Sequence, residues 1–298
     1  MPTSSLRGVY LPLITPFESD GSVALGAIER LAHECLDAGA AGLVPLGTTG
    51  ESPFLDAAEK RSIVELCAAI GRERDVHVIV GVGTNNTPNT IAAAEALADV
   101  PGVTHALVVV PYYVRPSQAG IVAHMKAVAA ASPVPLVLYN IPGRTGVTMS
   151  AQTVAKLSQH QNIVAIKEAT GSLDMTSEIA SLCHLPILSG DDSLTLPIMS
   201  LGGRGVISVI SNLLPSKVKQ MVKHAQDGNY AEARAIHYQL FPLIKAIFLD
   251  GNPVGIKHAM KIAGMDSGEL RLPLAEASEA TKKQIELFMA PAGAPFAV

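Results

Sequence analysis

The chain has only three cysteines, at positions 35, 67 and 183 of 298. They are too few and too scattered for a disulfide framework or a zinc knuckle. Cys35 follows Ile28, Leu31 and Ala32 at helical spacing, Cys67 follows Ile63 and Leu66, and Cys183 follows Ile179 and Leu182. All three read as small core residues, which suits a reducing compartment. Long apolar runs are missing too: none approaches the ~20 residues of a membrane span. The opening stretch to Phe17 holds no apolar signal core, and Pro12 and Pro16 interrupt it. The expectation is a soluble, cytoplasmic protein with no membrane partner.

Charge of one sign is not in excess. Lys and Arg number 22 and Asp and Glu 26, a net charge of −4. No basic surplus exists to drive binding to nucleic acid or acidic lipid. The nine histidines are dispersed, with none paired at a ligand spacing such as H-x-x-x-H, so no metal is expected. Charged residues are 16% and hydrophobic ones 48%, a balance that rules out disorder.

What is present is a rhythm. Short apolar, β-branched runs recur at 9–15, 42–46, 76–81, 105–110, 136–139, 163–168, 187–190 and 205–209. Most are nearly continuous in hydrophobicity, as strands buried on both faces should be. Segments of helical periodicity lie between them. Residues 24–36 carry Ala24, Ile28, Leu31, Cys35 and Leu36 on one stripe, and Asp56 with Glu59 forms a capping-box signature. Further helices are predicted at 88–99, 117–131, 150–159, 172–183 and 192–201. Alternation alone also fits a doubly wound sheet, but eight strands favour a (β/α)8 TIM barrel.

After the eighth strand the alternation stops. Segments 214–226, 229–249, 253–264 and 276–290 all read as helices. We therefore divide the chain into a barrel over 1–225, carrying the active site, and a C-terminal helical region over 226–298. That region would pack on the barrel or on a partner subunit. Residues 290–298, rich in Ala and Pro, are expected to fray.

In such a barrel the active site is built at the C-terminal ends of the strands. Strand two is followed by Gly47-Thr48-Thr49-Gly50-Glu51-Ser52, a cradle of hydroxyls and backbone N–H groups suited to a carboxylate, or else a solvated turn. It is no phosphate-binding P-loop, since no Gly-Lys-Ser/Thr follows. Tyr112 and Tyr113 follow strand four, as mouth residues or interface packing. Tyr139 closes strand five, and Arg144 on the next loop could grip a carboxylate or simply face solvent. Lys167 directly follows the apolar run 163–166. Burial there disfavours the ammonium and makes a nucleophilic amine; snorkelling at the rim is the alternative. Lys257 and Lys261 have the spacing of a solvated helix face. Asp191-Asp192 reads as a helix cap. Gly202-Gly203-Arg204-Gly205 reads as a turn into strand eight, where some barrels hold phosphate.

Jointly these stretches resemble the dihydrodipicolinate synthase/N-acetylneuraminate lyase family of pyruvate-dependent class I aldolases. The matches are GTTGES at 47–52, PYYVRPSQ at 111–118, YNIPGRTG at 139–146, IKEATG at 166–171, SGDD at 189–192 and GGRGVIS at 202–208, with Asn252-Pro253, Lys257 and LRLP at 270–273. The resemblance covers about residues 6–275, nearly the whole chain. The resemblance implies that Lys167 forms a Schiff base with pyruvate and that Tyr139 donates and accepts the proton. It implies that Thr48 and Tyr113 complete a relay, Tyr113 reaching in from a neighbouring subunit. Thr49, Gly190 and the backbone at Ile207 would hold pyruvate, and Arg144 the carboxylate of the second substrate, aspartate 4-semialdehyde. No cofactor is implied, and the assembly implied is a homotetramer built as a dimer of dimers.

Within the family, the Pro142-Gly143-Arg144-Thr145 pattern separates this chain from the sialic-acid lyases, which have small or apolar residues there. The alternative is a sister lyase or dehydratase acting on a 2-keto-3-deoxy sugar acid, N-acetylneuraminate or 4-hydroxy-2-oxoglutarate. Lysine-sensitive members bind lysine at a dimer interface through histidine and glutamate. The matching positions here are Ala57, Lys60 and Asn89, with Asn85 and Tyr112 retained. A cation in place of a carboxylate should weaken binding of a cationic effector.

Overall fold

A computed structural model describes residues 5–290. Past Ala290, the stretch expected to fray lies outside the described residues. Eight parallel strands close into a barrel in sequence order, with β1 hydrogen-bonded to both β2 and β8. They are β1 (Gly8–Leu11), β2 (Gly42–Leu43), β3 (His77–Gly81), β4 (His105–Val109), β5 (Leu136–Asn140), β6 (Ile163–Glu168), β7 (Ile187–Ser189) and β8 (Gly205–Ile207).

Alternate residues of each strand serve two cores. Tyr10, Val44, Ile79, Leu107, Val137, Tyr139, Ala165, Leu188 and Ile207 pack together inside the barrel. Their neighbours along the strands, such as Val9, Leu43, Val78, Leu138 and Ile166, pack in the surrounding apolar core. Burial on both faces is why these strands read as unbroken apolar runs. Closure needs Gly205, because a Cβ there would stand 1.9 Å from the Gly8 carbonyl oxygen.

Several strands are shorter than expected. β1 ends at Leu11 rather than Thr15, since Pro12 has no N–H to give the ladder. β8 ends at Ile207 rather than Val209. The N–H groups of Val209 and Ile210 donate instead to the Asp192 carboxylate, at 2.9 and 3.1 Å. The 202–205 turn leads into the N-terminal end of β8, and Arg204 O accepts from Gly8 N. It thus lies at the N-terminal ends of the strands, away from the loops that follow β7 and β8, and the phosphate reading of that turn does not hold.

The helices are α1 (Leu25–Asp37), α2 (Ala57–Glu73), α3 (Thr87–Glu95), α4 (Gln118–Ala131), α5 (Pro142–Thr145), α6 (Ala151–Leu157), α7 (Leu173–Leu182), α8 (Thr195–Ser200), α9 (Pro215–Gln226), α10 (Tyr230–Ile247), α11 (Val254–Ile262) and α12 (Glu279–Met289). The predicted capping box opens α2: Asp56 accepts from Glu59 N, and Glu59 accepts from Asp56 N. Leu240, Ile244, Ile256, Met260 and Ile285 of the C-terminal helices share one continuous apolar core with the outside of the barrel. Cys35 and Cys67 are fully buried as expected, whereas Cys183 is only half-buried against the core. Among the described residues no helix is long and apolar enough to cross a membrane.

Candidate active site

β6 sets the lysine. Ala165 and Lys167 point to the barrel interior, while Ile166 faces the helices and Glu168 bonds on that side. Lys167 pairs in register with Tyr139 of β5, and its Nζ lies 4.2 Å from the centre of the tyrosine ring. Both residues are 5% exposed. A ring face stabilises a cation held over it, be it an ammonium or a protonated imine. Gly190, just after β7, makes room: a Cβ there would meet Lys167 Cε at 2.9 Å and Ala169 Cβ at 2.8 Å.

A buried polar layer steadies these strand ends. The Glu168 carboxylate accepts from Thr170 N at 2.7 Å and from Asn140 Nδ2 at 3.3 Å. Burial pushes its pKa up, against the pull of those bonds. Asn140 also exchanges two hydrogen bonds with the Met149 backbone, which closes the loop carrying Arg144.

The threonine loop is gripped by the C-terminal helices. Thr48–Gly50 forms a turn of 3-10 helix, and Glu51 follows with φ 52°. Lys257 of α11 bonds Glu51 Oε1 at 2.6 Å, Thr15 O at 2.7 Å and Glu269 O at 2.6 Å. Glu51 Oε2 accepts from Arg271 N. Lys257 is fully buried, so the reading of it as part of a solvated helix face is overturned; Lys261 alone is exposed. Burial pulls the Lys257 pKa down, opposed by the Glu51 carboxylate. Asn252 donates from Nδ2 to Thr49 Oγ1 at 2.9 Å, and its carbonyl accepts from Arg144 Nη2 at 3.0 Å.

These elements surround a cavity of about 280 Å³, whose wall includes Thr48, Tyr112, Tyr139, Arg144, Thr145 and Asn252. Lys167, Thr49 and Ile207 are buried and Gly190 half-buried, and none of the four lines the cavity surface. Ile207 is 1% exposed at the end of β8. Tyr113 stands apart. It is 87% exposed, at φ 72°, so a single chain does not join it to Tyr139 and Thr48.

Sequence reasoning missed Glu51 and Asn252 as members of this network. Their polar groups sit inside matching motifs, and nothing in their spacing shows that they meet residues 200 positions away. It also misjudged Asp192. Asp191 does cap the short turn after β7, accepting from Ser193 N. Asp192 is buried and instead binds Ser208 Oγ at 2.5 Å and the two N–H groups past β8. Burial lifts its pKa to about 6.

The fold and site define an α/β-barrel enzyme with a buried amine at the C-terminal end of one strand, pressed against a tyrosine of the preceding one. The chain belongs to the dihydrodipicolinate synthetase family, whose model matches residues 5–290. A curated relative from Methanococcus vannielii, named 4-hydroxy-tetrahydrodipicolinate synthase, is 44% identical over 94% of this chain and 96% of its own. The solved dihydrodipicolinate synthase of Thermotoga maritima is 36% identical, with a TM-score of 0.92 over 96% of this chain and 98% of that one. A solved relative from Cyanidioschyzon merolae, determined with lysine bound, is 39% identical, with a TM-score of 0.91 over 95% and 97%.

Proposed function

We propose that this enzyme is a lyase condensing pyruvate with L-aspartate 4-semialdehyde to 4-hydroxy-tetrahydrodipicolinate, a step towards lysine and diaminopimelate. The observation that carries this reading is the Lys167–Tyr139 pair, at 4.2 Å from amine to ring centre, beneath a mouth rimmed by Arg144. The curated relatives' common name, 4-hydroxy-tetrahydrodipicolinate synthase, supports the product.

The lone pair of the Lys167 amine adds to the pyruvate ketone carbon; the hydroxyl of the adduct takes a proton and leaves as water, giving a protonated imine. That imine is an electron sink, so a methyl proton departs and an enamine forms. The enamine carbon bonds to the aldehyde carbon, and the resulting alkoxide takes a proton. The product's own amine then attacks the imine carbon, closes the ring and releases Lys167. Tyr139 carries these protons in this scheme, and a hydroxyl chain through Thr48 would connect it to solvent. A phenol hydroxyl is a poor proton acceptor by itself, which is why a relay is needed. Thr49, Gly190 and the Ile207 backbone hold pyruvate, and Arg144 takes the semialdehyde carboxylate. No cofactor enters the scheme.

Tyr113 completes the relay from a neighbouring subunit, in a homotetramer arranged as a dimer of dimers in the cytoplasm. The exposure of Tyr113 together with Val114, at 57%, supports an interface there. The test is pyruvate consumption with the semialdehyde, run beside cleavage of N-acetylneuraminate and 2-keto-3-deoxygluconate. The expected kcat/KM for the semialdehyde lies above ~10⁴ M⁻¹s⁻¹. Negligible turnover with a Schiff base still forming would move the function to a sister aldolase.

A further inference from the structure

The two groups assigned to substrate carboxylates, Thr49 and Arg144, come from different loops. One residue far away in sequence touches both. Asn252 lies in the link between α10 and α11, on the wall of the cavity, and is 8% exposed. Its side-chain Nδ2 donates to Thr49 Oγ1 at 2.9 Å, while its main-chain oxygen accepts from Arg144 Nη2 at 3.0 Å. Its Oδ1 is buried with no partner. A buried acceptor left bare is costly. The one hydrogen bond its side chain makes is the one from Nδ2 to Thr49 Oγ1.

A threonine hydroxyl has one proton to give and two lone pairs to accept with. An N–H pointed at Oγ1 fills a lone pair. The hydroxyl proton is then free to be given to another acceptor. We propose that Asn252 is a positioning residue: its amide fixes Thr49 as a hydrogen-bond donor towards the pyruvate carboxylate, while its carbonyl holds Arg144 for the second substrate. This rests on the pyruvate and semialdehyde reading given above. The two bonds come from different parts of the residue. Changing the side chain removes the hold on Thr49 and leaves the carbonyl that holds Arg144. Asn252 side-chain variants are therefore selective for pyruvate.

The experiment is a double-mutant cycle on steady-state kinetics with both substrates varied. Asn252→Leu has nearly the shape of asparagine but no donor. It is expected to raise the KM for pyruvate about fivefold, the scale of one neutral hydrogen bond, with kcat and the semialdehyde KM within about twofold of wild type. With Thr49→Val already present, Asn252→Leu is expected to add less than about twofold, because the bond has already gone. A pyruvate KM unchanged in Asn252→Leu overturns the proposal. So does an equal rise for both substrates, or an effect of the same size in the Thr49→Val background. If Asn252→Leu does not fold, Asn252→Ala and its Thr49→Val partner carry the same cycle. Borohydride trapping of pyruvate on wild-type Lys167 separates the two layers. A trapped adduct with an additive cycle sinks the role of Asn252 alone, whereas no adduct at all sinks the underlying reading and this role with it. Where an adduct forms but the semialdehyde is not turned over, the pyruvate concentration that half-saturates trapping replaces KM in the cycle.

Discussion

The ammonium of Lys257 lies 2.6 Å from Glu51 Oε1, and neither side chain reaches solvent. The pair joins the first helix of the C-terminal region beyond α10 to the loop that carries Thr48 and Thr49. Two carbonyls, of Thr15 and Glu269, take the other ammonium protons, so the buried cation is fully partnered. Phe17 adds its ring face at 4.3 Å.

Breaking that pair from one side should be severe. Lys257→Met leaves a buried carboxylate unpaired, and the expected loss is roughly 3–5 kcal/mol of unfolding free energy. Glu51→Gln placed on top should recover part of it, because the orphaned charge is then gone. Denaturant unfolding of the three variants checks this. A double variant less stable than Lys257→Met alone would show that Glu51 does more than answer Lys257.

Lys167→Ala should abolish the borohydride-trapped pyruvate adduct. Tyr139→Phe should keep that adduct yet cut turnover by about 10²-fold or more, the scale of a lost proton-transfer group. Mass spectrometry of the trapped protein, read beside kcat, distinguishes them. Equal loss of adduct in both variants would make the tyrosine a packing partner of the amine rather than a proton carrier.

Gly190→Ala tests the room around the amine. The added methyl would stand 2.9 Å from Lys167 Cε, so the lysine chain must shift. Misplacement of a reacting atom by a fraction of an ångström should slow adduct formation by roughly 10- to 100-fold. The melting temperature should change little. Wild-type trapping rates would mean that the lysine tail relaxes freely.

The Arg271–Glu59 pair predicts a pH dependence of stability. Two bonds, at 2.7 and 2.5 Å, hold the Glu59 carboxyl below its ordinary value of 4.5. A depressed folded pKa gives stability that is fully present above the unfolded value. It is lost as pH falls through the folded one. Glu59→Gln should therefore lower the melting temperature at pH 7, by a margin that shrinks below pH 4.5. A margin constant from pH 7 down to about pH 3 would deny the linkage.

Feedback by lysine should be weak or absent. Ala57, Lys60 and Tyr112 line one groove of about 540 Å³ together with Arg61. If lysine binds there as in lysine-sensitive members of the family, the cation of Lys60 opposes it, while Arg61 is already paired with Glu65. Turnover should hold steady through sub-millimolar lysine. Strong inhibition there would show that other contacts outweigh Lys60.

Much of this protein was legible in its sequence. The continuous apolar runs come from strands buried on both faces, and their count gave the barrel. The capping box at Asp56 and Glu59 is local chemistry, and it forms as read. Lys167 was visible because a lysine closing an apolar strand is out of place anywhere but a strand end. Strand ends were less legible, since Pro12 and the Asp192 carboxylate stop β1 and β8 sooner than hydrophobicity alone suggests.

What the sequence determined by itself is therefore what depends on neighbours along the chain: strand and helix periods, caps, and the motif in which each polar residue sits. Only the tertiary structure decided which polar groups meet across the chain. Lys257 has the same helical spacing as a solvated lysine, and its burial follows from α11 packing over Glu51 and Thr15. Asn252 reaches Thr49 and Arg144 only once the barrel has closed and the C-terminal helices have docked on it. Periodicity records which face of an element is buried, but not against which partner, and the partner is what turns a buried polar residue into part of a site.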